Sequence, residues 1–109
     1  MTAFSCPYLD GNVELTDERV EHIAGRHPDL WPEYRERVAE TLEAPDEVRK
    51  SRRMANARLL SRWFESVREG KHVVIVVVSD QDLPGERHWI ITASLARKLA
   101  EGPVEWKRN

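Results

Sequence analysis

The chain has 109 residues, which fits one domain, 1–109, with one core. At 40% hydrophobic and 33% charged it is not a disordered chain, and its one cysteine, Cys6, excludes an internal disulfide framework and a multi-cysteine metal site. The formal net charge of −2 conceals a split: residues 1–47 hold 4 Lys+Arg against 12 Asp+Glu, and residues 48–109 hold 13 against 7. Such a split suggests an anionic partner for the basic half, unless the halves neutralise each other across the fold.

The N-terminus lacks the basic stretch and long apolar run of a signal peptide, and no segment is long enough to span a bilayer. The expectation is a cytoplasmic protein with no membrane partner. In Phe4–Leu15, Asp10-Gly11 between short apolar stretches signals a tight turn, giving a small edge hairpin or one short strand. Thr16 can cap a helix that Asp17 and Glu18 favour by charge. Val20, Ile23, Ala24 and His27 share one face of that helix, and Arg19, His22 and Arg26 share another. Pro28 should end it. Pro32 suits the first turn of a second helix, whose apolar stripe is Tyr34, Val38, Thr41 and Leu42 and which Ala44-Pro45 closes.

Strands follow. Asp46–Ser51 is too polar for the middle of a sheet and reads as an edge. The next strand alternates, with Arg58, Leu60, Arg62 and Phe64 on one face and Leu59, Ser61 and Trp63 on the other. Lys71–Ser79 contains six consecutive apolar residues, five of them Val, and has no polar face. It should be a central strand covered on both sides. Ser79–Glu86 reads as a loop. In Arg87–Ser94, His88, Ile90, Thr92 and Ser94 should share a face, against Arg87, Trp89, Ile91 and Ala93. Leu95–Glu101 could form one or two helical turns, and after Gly102-Pro103 the segment Val104–Trp106 could add a last edge strand. The expected fold is α+β: two N-terminal helices packed on a four-stranded antiparallel sheet, with room for short extra edge strands.

No phosphate loop, His-Glu-x-x-His, Cys-x-x-Cys or Gly-x-Ser-x-Gly motif is present, so neither a metal site nor a cofactor is expected. Chemistry would have to be assembled from separate elements. His22 and His27 are the residues suited to proton exchange near neutral pH, but five residues of helix place them roughly 140° apart. A plainer reading makes one a helix end and the other a solvated side chain. Arg58 and Arg62 could grip a phosphate, or could be salt-bridged beneath acidic helices. Arg49, Lys50 and Ser51 lie on the basic strand beside them. Ser51, Thr92 and Ser94 are strand hydroxyls, each alone more in keeping with inter-strand bonding. A basic sheet, a His-bearing helix and strand hydroxyls together make a workable metal-free RNA-cleaving site.

Several segments carry a resemblance: Val13–Pro28, Ala44–Ser51, the strand holding Arg62, the valine strand, and Trp89–Ser94. From about Val13 to Trp106 the chain resembles the phage-associated branch of the barnase–EndoU–colicin–RelE superfamily of metal-independent ribonucleases. The resemblance implies a two-helix, four-stranded antiparallel fold. It also implies endonucleolytic RNA cleavage by 2′-OH attack, as in a toxin or phage-derived module. It singles out His22, His27, Arg58, Arg62 and Thr92 for catalysis, with Ser51 weaker. The histidines would move protons, with either able to act, the arginines would hold phosphate, and Thr92 would orient substrate. RNA contact would run through Arg49, Lys50, Ser51, Arg58 and Arg62, and an inhibitor or antitoxin protein is the implied second partner. A non-catalytic RNA-binding or protein-interaction module on the same scaffold is the alternative.

Overall fold

A computed structural model describes residues 1–80, 86–99 and 102–109. The chain opens with an antiparallel hairpin, β1 (Thr2–Cys6) and β2 (Gly11–Leu15), joined by a 3-10 turn over Pro7–Leu9. Asp10 sits in the left-handed region (φ 56°) and returns its N–H to Pro7 O, which is how Asp-Gly reverses the chain. Thr16 Oγ1 then accepts the Arg19 N–H at 3.2 Å and caps α1 (Asp17–Arg26). The second helix, α2 (Arg35–Glu43), begins at Arg35 rather than Pro32, because Tyr34 N–Leu30 O and Arg35 N–Pro32 O bonds hold the intervening residues in turns.

The remaining strands are β3 (Glu47–Lys50), β4 (Ala57–Phe64), β5 (Lys71–Asp80), β6 (Arg87–Ala96) and β7 (Val104–Lys107). The β4–β5 turn ends at Gly70, where φ is +101° and an added Cβ would fall 2.6 Å from Trp63 Cζ2, so only glycine fits beneath that indole. All seven strands form one sheet in the order β1-β2-β6-β5-β4-β3-β7. The fold is α+β, but the expected four-stranded antiparallel sheet is wrong on two counts. The sheet has seven strands, and it is mixed, because β2 pairs with β6 in parallel through Val13–His88 and Glu14–Trp89. The expected N-terminal edge hairpin is present at one end of the sheet, but its parallel pairing with β6 was not expected, because short strands carry no signal of their distant partner. Residues 46–51 are likewise no edge: β7 pairs along the outer side of β3. The expected helical turns after Leu95 are absent from the described residues, since β6 runs on to Ala96. The expected Ser79–Glu86 loop is shorter at its start, with Ser79 and Asp80 in β5, and its Gln81–Gly85 part lies outside the described residues, as do Ala100 and Glu101.

β5 is covered on both faces, as its sequence requires. Val73, Ile75 and Val77 pack on the helix side with Leu60, Phe64, Ile90 and Ala93, against Ile23, Val38 and Leu42 of the helices. Val74 and Val78 are buried on the opposite face. α1 packs on β6, and α2 lies between β1 on one side and β4 and β5 on the other. The sheet curls around α2 far enough for Tyr8, from the β1–β2 connection, to meet Trp106 of the opposite edge strand, with ring centroids 5.6 Å apart.

Two bulges reset which residues share a face. In β6, Val76 opposes Thr92 but Val77 opposes Ile90, so Ile91 is the extra residue. His88 and Ile90 therefore face the helices, whereas Thr92 and Ser94 face away, and the expected strict alternation fails. In β7, Val48 opposes Trp106 and Arg49 opposes Val104, which leaves Glu105 as the extra residue.

Arg62 lies under the end of α2. Its guanidinium donates to the carbonyls of Glu40 (3.5 Å) and Ala44 (3.3 Å) and sits 5.2 Å from the Phe64 ring centroid. A cation on the last carbonyls of a helix meets the negative end of its dipole. Arg62→Ala should therefore lower stability by about 1–2 kcal/mol in urea unfolding. Arg62→Met, which keeps the stem packed on Phe64, should lose less. A stability equal to wild type in both variants would remove the capping role.

Candidate active site

The two bulges assemble a polar cluster at one end of the helix-facing side of the sheet. Lys50 opposes Arg58 across β3 and β4, Arg58 opposes Val77, and Ser79 lies one step further along β5. Ser79 opposes His88 on β6. Two successive rows of this sheet face thus carry Lys50 with Arg58 and Ser79 with His88. A cleft of about 480 Å³ opens over them, lined by Lys50, Asn56, Arg58, Ser79, Asp80 and Glu105 among others.

Arg58 is the centre of the cluster. Its Nε donates to both Glu105 oxygens, at 3.2 and 3.0 Å. The Arg58 and Glu105 side chains are 30% and 20% exposed, so this pair is partly desolvated and better held than a surface ion pair. Glu105 also accepts a short hydrogen bond from the Tyr8 hydroxyl. Burial first, and then the hydrogen bond to Glu105, push the Tyr8 phenol up to about 12. Lys50 is exposed and forms no ion pair with a described residue, so its charge is available to a ligand. Asn56 fixes the floor: its O accepts Ser79 N–H at 3.0 Å, and its side-chain nitrogen donates to Ser79 O at 3.3 Å. Beneath the cleft, Ser79 Oγ is 2.7 Å from His88 Nδ1, both residues being buried, and His88 Nε2 is 3.9 Å from the Glu86 carboxylate.

The residues singled out from sequence are not gathered at this cleft, apart from Arg58 and Lys50. His22 and His27 are half-buried on α1, and His27 is its C-terminal cap residue. Arg62 is on the same sheet face as Arg58 but is occupied by α2. Ser51 Oγ accepts the N–H groups of Arg53 (3.1 Å) and Met54 (3.2 Å) and thereby holds the β3–β4 loop. Arg49 projects from the other face, where it pairs with Glu47 at 3.2 Å and lines a separate cleft of about 390 Å³ with Ser61, His72 and Lys107. Thr92 is on that other face as well, and its Oγ1 is buried without a hydrogen-bond partner among the described residues. Among the described residues, no three His, Cys, Asp or Glu side chains are grouped to hold a metal ion. No helix there is long and apolar enough to cross a membrane.

Tyr8, Ser79, His88 and Glu105 are the site residues that sequence reasoning missed. A signal existed for one pair: a serine ending the valine run and a histidine opening the next strand oppose each other in an antiparallel hairpin. Nothing local marks Tyr8 or Glu105, which meet each other from the two ends of the chain.

No family model, curated protein or solved structure matches the chain. What the site can do therefore rests on its own chemistry. It offers an anion a guanidinium and an ammonium, and offers a nearby hydroxyl a carboxylate already positioned by two donors.

The cluster can be checked by titration. In a Tyr34→Phe background, the phenolate absorbance of Tyr8 should rise with a midpoint of about 12. Glu105→Gln should move it toward the ordinary value, since the carboxylate charge and its hydrogen bond favour the neutral phenol. A phenol held protonated in the fold ionises first in the unfolded chain. Its contribution to stability is complete below about pH 10 and is lost as pH rises through the folded value. An unmoved midpoint in Glu105→Gln would show that Tyr8 and Glu105 are not coupled.

Proposed function

We propose that the chain is a small metal-independent endoribonuclease, of the toxin or phage-derived kind its sequence resembles, acting at the Arg58 cleft. The observation that carries this reading is the Lys50–Arg58–Glu105–Tyr8 group. It places two cations for a phosphate beside one carboxylate that can take a proton, in an open polar cleft.

The reaction assigns each group a task. Glu105 takes the proton of a ribose 2′-OH, and the O2′ attacks the adjacent phosphorus. As an RNA phosphate enters, Arg58 exchanges part of its contact with Glu105 for the non-bridging oxygens. That exchange frees the carboxylate and places the guanidinium where charge grows. Lys50 adds a second cation to the same oxygens. Tyr8 holds Glu105 in place and keeps it from following Arg58. The P–O5′ bond breaks, leaving a 2′,3′-cyclic phosphate, and the departing O5′ requires a proton. Exposed Arg52 and Arg53, on the loop that Ser51 braces, flank Lys50 and suit the neighbouring phosphates of an RNA strand. An inhibitor protein would act by covering this basic rim. His22, His27, Arg62 and Thr92 have no task in this scheme.

A second reading is favoured by one feature. Arg58 is already paired with Glu105, and a cleft that keeps this pair intact would bind RNA through Lys50, Arg52 and Arg53 without cutting it.

Purified protein with excess chelator should cut a mixed RNA pool into fragments ending in 2′,3′-cyclic phosphate. Arg58→Ala and Glu105→Gln should each reduce the rate by about 100-fold or more. Arg62→Ala, if folded, should keep most of it. Salt-sensitive RNA binding with intact RNA would favour the second reading, and neither binding nor cleavage would exclude both.

A further inference from the structure

The proposed reaction needs a proton donor for O5′, and the cleft offers few. Lys50 and Arg58 are cations that bind phosphate and hold their protons. Tyr8 donates its hydroxyl hydrogen to Glu105, so that hydrogen is not directed at a leaving oxygen. Ser79 is different. It lines the cleft beside Arg58, and its hydroxyl is bonded at 2.7 Å to His88 Nδ1, on a residue only 4% exposed. Its nearest neighbours on this sheet face along β5 and β6, Val77 and Ile90, are hydrocarbon. A Ser–His pair is placed where the cleft reaches the strands.

Charged groups surround His88. Glu86 lies 3.9 Å from Nε2. On β2, Glu14 is engaged by Arg87 at 3.0 Å, and His88's own partner there is Val13. Asp80 opposes Arg87 on β5, while Arg58, Lys50 and Glu105 lie across the cleft. With His88 protonated, Nδ1–H donates to Ser79 Oγ. The Ser79 hydroxyl hydrogen is then turned out toward the cleft.

We propose, resting on the ribonuclease reading, that Ser79 is a catalytic residue and His88 its positioning partner, together delivering the proton to the departing 5′ oxygen. Glu105 takes the 2′-OH proton as the P–O2′ bond forms. The P–O5′ bond breaks with its electron pair on O5′. That oxygen receives the Ser79 hydroxyl proton, and Ser79 is reprotonated from His88 Nδ1. One proton enters Glu105, one leaves His88, and no oxidant or reductant is needed.

The test compares an RNA with the ordinary 5′ oxygen at a single cleavable linkage and the same RNA with sulfur in that bridging position. A thiolate leaves without a proton. Ser79→Ala and His88→Gln should slow the oxygen substrate by about 100-fold, the usual size of a general-acid contribution, yet leave the sulfur substrate within a few-fold of wild type. Glu105→Gln should slow both substrates, and Ser94→Ala, on the opposite sheet face, neither. Equal losses on both substrates would make the pair merely structural and overturn the proposal, as would full oxygen-substrate activity in Ser79→Ala. If His88→Gln does not fold, Ser79→Ala alone decides, with its thermal melt as the check on folding. Wild-type protein that cuts neither RNA would instead overturn the ribonuclease reading itself.

Discussion

β5 imposes the main constraint on the fold. A strand with hydrocarbon on both faces must be shielded from water on both, and each buried Val or Ile is worth about 1.5–3 kcal/mol relative to exposure. The helices cover one face through Ile23, Val38 and Leu42. The neighbouring strands extend the sheet on each side until its ends carry only short strands, β1 and β7. Because the sheet curls, these two edges come back toward each other over α2. The Tyr8–Glu105–Arg58 contacts are where they close. The hydrophobic demand of one strand thus brings together residues from near both ends of the chain.

The elements with strong local signals were legible. Thr16 caps α1, Pro28 follows its end, Arg58–Phe64 alternates, and the valine run is central. The missing parts share a physical cause. The extra strands are only four or five residues long, and their existence is decided by partners far away in sequence, as for β2 on β6 and β7 on β3. The expected faces of β6 fail because a period-two pattern assumes an unbroken ladder. One extra residue at Ile91 turns His88 to the side opposite Thr92, and sequence spacing cannot show that.

The same limitation governs the site. Arg58 and Arg62 are equivalent by alternation, but tertiary neighbours separate them. Arg62 meets the bare carbonyls at the end of α2, which gives it a structural task. Arg58, near the other end of the strand, meets a carboxylate from a bulge and an open cleft. Ser51 shows the same division: its hydroxyl is spent on two loop N–H groups, and its contribution is to hold Arg52 and Arg53 beside the cleft. A polar residue type in a sequence states what chemistry is available, and the partners that its fold supplies decide whether that chemistry is already consumed.

The charge split between the halves bears on what the cleft can attract. Glu14–Arg87 and Glu47–Arg49 join the acidic half to the basic one, so part of the split is compensated within the fold. Compensation stops at the β3–β4 loop. Lys50, Arg52 and Arg53 are exposed and form no ion pair with a described residue. Within a Debye length of about 8 Å at physiological salt their potentials add, so the cleft mouth favours a polyanion over a single small anion. Inside the cleft the balance differs, since Glu105 and Asp80 offset Arg58. A site that is cationic at its rim and near-neutral at its floor would draw a phosphate backbone toward a carboxylate held by Arg58 and Tyr8. That is the electrostatic arrangement the proposed cleavage at Arg58 would use, with Glu105 released as the phosphate takes its place on the guanidinium.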